Sequence, residues 1–171
     1  MVGRFLDGLK GSEKFVLIHK KNDKIYSTTI VDEDRIRITY AESLSKDTFL
    51  FVEDEKKYYM IEGGEALWEE YTYKRYEEYV RRGYRNLLDD ILKSVDPDSE
   101  CTGILTTTGN IRELVIAIKE KGKRYDICCR ADDGRLLSYR YDMTKDSSTL
   151  SEEFLYEYDG NIAVEIPKTP R

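Results

Sequence analysis

The sequence predicts an α+β fold: one curved antiparallel β-sheet, a half-barrel of about ten or eleven strands, wrapped around one long amphipathic helix. Three observations predict it. Short runs of alternating apolar and polar residues recur at strand spacing, with turn residues between them. One run, residues 72–95, breaks that rhythm with apolar residues three and four apart. No linker, internal repeat or low-complexity stretch divides the 171 residues, a length that can bury roughly 70% of the surface its unfolded chain exposes. A single domain, 1–171, is therefore expected. Its strands fall at 14–62 and 111–166, with the helix at 72–95 between them.

Each element has its own signal. Residues 2–9 fit a short helix with Phe5, Leu6 and Leu9 on one side. "KFVLIHKK" is a compact apolar run, followed by the turn pair Asn22-Asp23 and by "KIYSTTIV". "RIRITY" alternates cleanly, with Ile36, Ile38 and Tyr40 on one face and Arg35, Arg37 and Thr39 on the other. "TFLFVE" and "KYYMIE" flank the charged turn Asp54-Glu55-Lys56, and Gly63-Gly64 closes the group. The helix stripe is Tyr73, Tyr76, Val80, Tyr84, Leu87, Leu88, Ile91, Leu92 and Val95, and Asp96-Pro97 ends it. At 1.5 Å per residue it would be about 36 Å long. Thr106 to Gly109 reads as a turn. "ELVIAIKEKGKRYDICCRADDGRLLSYRYDM" then gives three strands turning at Lys121-Gly122 and Asp133-Gly134, and "LSEEFLYEYDGNIAVEIP" gives two more turning at Asp159-Gly160. So wide a sheet should curl, with the helix on its concave side.

Composition narrows the function classes. The formal charge is -6, and the basic residues are interleaved with acids, which argues against a phosphate-tracking nucleic-acid surface. Charged residues are 36% of the chain and glutamine is absent, a usage that fits a thermophile. No run is long and apolar enough to span a membrane, and no leader is visible. The compartment is cytoplasmic if Met1 is native and extracytoplasmic if a leader was removed. The three cysteines have the wrong spacing for zinc. They are either free thiols or form one disulfide from Cys101 to Cys128 or Cys129. No metal or cofactor is expected.

No catalytic constellation stands out. His19 is the only histidine and has no identifiable nucleophile beside it in sequence, so it reads as structural or surface. Asp32, Glu33 and Asp34 begin like a calcium loop, but Ile36 and Arg37 stand where a ligand and a glycine are needed. Gly63-Gly64 lacks the lysine and threonine of a phosphate loop. Arg81, Arg82 and Arg85 beside Tyr79 and Tyr84 could either recognise an anionic headgroup or pair with Glu77, Glu78 and Asp89. The chain holds 14 tyrosines against 5 phenylalanines. A buried tyrosine supplies large apolar area with one polar tip. The tyrosines of the helix therefore either pack on the sheet as scaffolding or line a groove.

Three stretches, "KIYSTTIVDEDRIRITY", "FLFVEDEKKYYMIEGGEALW" and "YEYDGNIAVEIP", together resemble the LolA-like lipoprotein-carrier superfamily in strand order. That resemblance implies an open half-barrel holding acyl chains between sheet and helices, with a lipid or an acylated protein as partner. The function expected is a non-enzymatic carrier or binding module for a hydrophobic or amphiphilic ligand. Its contacts would be Ile38, Tyr40, Phe49, Phe51, Tyr76, Val80, Tyr84, Leu88, Tyr139 and Tyr156, with Leu50 and Val52 as the alternative parity. The other reading is a structural or protein-interaction domain with a filled core.

Overall fold

A computed structural model of the chain describes residues 14–33, 35–41, 48–52, 57–62, 65–70, 96, 98–158 and 161–165; for the strands between 48 and 70 it describes the backbone. Eleven strands form one sheet. They are β1 (Lys14–Lys21), β2 (Lys24–Asp32), β3 (Arg35–Tyr40), β4 (Thr48–Val52), β5 (Lys57–Glu62), β6 (Glu65–Glu70), β7 (Glu100–Thr108), β8 (Ile111–Glu120), β9 (Lys123–Arg130), β10 (Leu136–Lys145) and β11 (Ser148–Glu157). Their spatial order is β6-β5-β4-β3-β2-β1-β11-β10-β9-β8-β7. Every neighbouring pair is antiparallel. Two meanders are thus sewn together by the β1–β11 pair at the centre. The chain leaves the sheet at the β6 edge and re-enters at the opposite edge, β7.

The described residues correct the α+β expectation. They are all-β, with no helix among them, and the sheet wrapped around a long helix gives way to an all-β antiparallel sheet. The span 72–95 lies outside the described residues. Part of the difference comes from two stretches that the alternation rule passed over. Glu65–Glu70 forms β6, with Glu62 opposite Glu65 across the two glycines, the separation of a two-residue hairpin. Glu100–Thr108, whose last residues read as a turn, forms β7; its isoleucine and four threonines are strand formers. The final hairpin is also corrected, since residues 161–165 are not a strand. Val164 there is buried, donates its amide to the Asp32 carboxylate at 2.9 Å and accepts the Arg35 guanidinium on its carbonyl at 3.3 Å.

Turns fix the register where the sequence signalled them. Asn22 and Asp23 both have positive φ, 49° and 63°, the conformation of a two-residue hairpin turn whose twist matches the strands. Gly122, at φ 74°, lets its carbonyl accept the Thr144 amide at 2.8 Å. Asp146-Ser147 makes the same tight turn at φ 50° and 67° without a glycine.

Pairing sorts the side chains onto two faces. Row by row, Tyr40, Ser27, His19, Phe154, Tyr139, Ile127, Ile116 and Gly103 lie opposite one another across eight strands. A parallel row runs Ile38, Thr29, Leu17 and Tyr156. This face carries the core, in which Ile36 and Leu136 are completely buried. The other face carries an alternating charge row, Lys20, Glu153, Arg140 and Asp126, with Lys20 bonded to Glu153 at 3.0 Å. The same face also carries a half-buried row, Ile18, Leu155, Ser138, Cys128 and Val115, so paired charges cover only part of it.

The disulfide alternative is corrected as well, because all three cysteines are free. Cys101 on β7 and Cys128 on β9 are separated by β8, about 10 Å across two strand spacings. Cys101 pairs with Ile118 while Cys128 pairs with Val115, so the two project to opposite faces. A bridge needs Cα atoms within about 7 Å.

Candidate functional site

The aromatic residues of the core face form a nearly continuous array. His19 stacks on Phe154 with ring centroids 4.3 Å apart and meets the Tyr26 ring edge-on at 5.2 Å. Tyr26 meets Tyr40 edge-on at 5.6 Å. On the other side Phe154 stacks with Tyr139 at 5.9 Å, and Tyr125 lies 5.1 Å from Tyr141. A second cluster joins Phe15, Tyr156 and Tyr158 at 6.0–6.5 Å. Cations cap both groups: Lys21 Nζ lies 3.7 Å over the Tyr26 ring and the Arg135 guanidinium 5.3 Å over Tyr158.

The sequence explains why these rings meet. Antiparallel strands bring same-parity residues face to face, and Phe15, Leu17 and His19 share one parity on β1. An irregularity after His19 shifts the β1–β2 register, so that Tyr26 joins Ser27 beside the histidine.

The polar groups in this array are of two kinds. Tyr158 donates its hydroxyl to the Leu136 carbonyl at 2.8 Å. By contrast, Tyr156 Oη and His19 Nε2 are buried without a hydrogen-bond partner. Glu152 Oε2 lies 3.6 Å from His19 Nε2, beyond a proper hydrogen bond. Burial pushes the His19 pKa down, with Lys21 adding to the effect and Glu152 opposing it, so the imidazole is neutral at pH 7. Burial raises the Tyr139, Tyr156 and Tyr158 phenols well above their ordinary range. It also pushes the Cys129 thiol up to about 11. These groups therefore stay protonated and uncharged near neutrality.

The structure brings several of the expected contact residues together. Ile38 and Tyr156 share one row, and Tyr40 and Tyr139 share the next. The backbone register sets Phe49 opposite Ile38 and Phe51 opposite Ile36. Tyr76, Val80, Tyr84 and Leu88 lie outside the described residues, as do Arg81, Arg82 and Arg85. Sequence reasoning missed His19, Phe154 and Tyr26 as members of the array. The signal was present in "KFVLIHKK", where His19 continues the parity of Phe15 and Leu17.

Tyr139 is 3% exposed, Tyr156 5%, Ile38 6% and Phe154 7%, so atoms of the chain itself cover these side chains. A separate cleft of about 420 Å³ opens at one end of β8 and β9, lined by Asp96, Asp98, Ser99, Glu100 and the 119–123 turn. It is polar and of mixed charge, with Glu120 accepting from the Asp96 amide and the Ser99 hydroxyl. Among the described residues no three His, Cys, Asp or Glu side chains gather as a metal site, and no helix is long and apolar enough to cross a membrane.

No protein-family model and no curated protein matches the chain. Among solved structures, one match is the structure of PNGF-II in the C2 space group, at 8% identity and a TM-score of 0.30. That match takes in 89% of this chain but 28% of the other. So slight a likeness carries no argument about fold or activity. The lipid-binding, LolA-like description taken from strand order finds no support in these comparisons, and its sheet-around-helix architecture is replaced by the all-β sheet described above.

Proposed function

We propose that this chain is a non-enzymatic interaction domain whose aromatic face is its packed core and whose partners bind outside it. The observation that carries this reading is the close packing of the aromatic array, where rings contact rings and Tyr125, Tyr139, Phe154 and Tyr156 are at most 7% exposed. A site for a small molecule needs a cavity of roughly 300–1,000 Å³ beside its contact residues. Protonated phenols, a thiol near 11 and a neutral imidazole without a hydrogen-bonded base or nucleophile also speak for binding rather than chemistry.

A second reading, a carrier with an amphiphile against the same face, draws on one observation. Tyr156 Oη and His19 Nε2 are buried polar atoms without partners, and a ligand's polar end would satisfy them. Titration with a fluorescent fatty acid separates the two. The interaction reading predicts no saturable uptake. Saturable one-to-one uptake that Tyr156→Phe weakens, in a variant with unchanged circular dichroism, would overturn it.

A further inference from the structure

The two edges of the sheet are built differently. β6, "EALWEE", carries three glutamates in six residues, the kind of charge that keeps an edge from pairing. β7, "ECTGILTTT", carries one charge, at its first position, and no proline or lysine. All nine β7 residues are exposed. Ile104 is 61% exposed and Leu105 54%, and Ile111 on the adjoining strand is 42% exposed. A long strand with a single terminal charge and exposed apolar residues at the end of a sheet presents unpaired backbone donors and acceptors to any chain that can lie beside it.

We propose that β7 is a pairing edge for a second copy of this chain, the two β7 strands meeting antiparallel about Ile104. The proposal rests on the interaction-domain reading and names the partner. Ile104 is the middle residue of the nine, so a twofold axis through it pairs the whole strand. Ile104 then meets its own copy, Gly103 faces Leu105, Thr102 faces Thr106, Cys101 faces Thr107 and Glu100 faces Thr108. No like charges oppose one another, and Gly103, lacking a side chain, leaves room for the leucine across from it. A residue-centred axis also keeps the apolar faces of both sheets on the same side. β6 has no such self-complementary register, because pairing it with itself sets glutamates close together. The edge is about 30 Å long and buries less than the roughly 800 Å² per partner of a standard interface, so the dimer should form in the tens of micromolar rather than below.

The test is analytical ultracentrifugation from about 1 µM to several hundred µM, with organic extraction of the same preparation. The wild type should pass from monomer to dimer. Ile104→Lys should remain monomeric at least tenfold higher in concentration, while Ile25→Lys, another exposed apolar site away from β7, should dimerise like the wild type. Thr107→Cys should form a covalent dimer with Cys101 of the other copy under mild oxidation, and Thr106→Cys should not. Dimerisation that Ile104→Lys leaves intact, or cross-linking through Thr106→Cys instead, would overturn the pairing. A monomer with no extractable small molecule would overturn the pairing alone. A monomer that releases an amphiphile would overturn the interaction reading too.

Discussion

His19 sits between Phe154 and Tyr26 in a place that a phenylalanine could fill, and its ring behaves there as a half-buried aromatic. Burial lowers its pKa from 6.5, and the sign of the consequence follows. Above the unfolded value both states are neutral and the contribution to stability is complete. As pH falls through 6.5 the unfolded chain takes up the proton first, and stability declines until the folded imidazole protonates as well. The denaturation midpoint should therefore drop between pH 7 and pH 5 more in the wild type than in His19→Phe. Equal drops would show that His19 is not held neutral. The cysteines give a second residue-scale prediction. At low micromolar protein, a thiol reagent at pH 7.5 should modify exposed Cys101 quickly. It should reach Cys129, buried with its pKa near 11, only on unfolding. A count of more than one fast thiol would require Cys128 to be more open than its raised pKa and half-burial allow. At this scale the sequence was partly legible. Parity identified Ile38, Tyr40, Tyr139 and Tyr156 as facing alike, but it could not show that Phe154 and His19 stack, because that depends on which strands are neighbours.

At the scale of elements, turn chemistry was the most legible feature and edge strands the least. Asn22-Asp23 and Lys121-Gly122 were readable because positive φ selects asparagine, aspartate and glycine. Gly122→Ala should destabilise the fold by about 1–2 kcal/mol. The left-handed backbone disfavours a side chain there, and an added Cβ would lie 3.2 Å from the Thr144 carbonyl oxygen. An unchanged melting temperature would contradict that geometry. β7 was illegible for a physical reason. An edge strand exposed on both faces has no buried side to impose alternation, and "CTGILTTT" shows none. The terminal segment was misread for a related reason. Val164 is anchored by the Asp32 carboxylate rather than by a strand ladder, and Lys14, 2.7 Å from that carboxylate, together with the Val164 amide, holds the Asp32 pKa below its usual range. Asp32→Ala should speed hydrogen exchange at the Val164 amide by at least tenfold and cost about 1–3 kcal/mol. This contribution should fade in the wild type as pH falls below about 4.

For the molecule as a whole, strand count was legible and class was not. Alternation found most of the strands and their hairpin order, since consecutive antiparallel strands are local in sequence. The β1–β11 pair that joins the two meanders is not local, and no spacing rule announces it. That pair decides everything central to the site, because it is what brings His19 onto Phe154 and Leu17 beside Tyr156. We propose that the face so assembled is a packed core and that recognition happens outside it. Native mass spectrometry of freshly purified protein, followed by organic extraction, tests it most directly. The expected result is the bare mass of the chain or of its dimer, with nothing apolar in the extract. A stoichiometric bound mass that extracts as an amphiphile would contradict it and make the aromatic array the wall of a binding site.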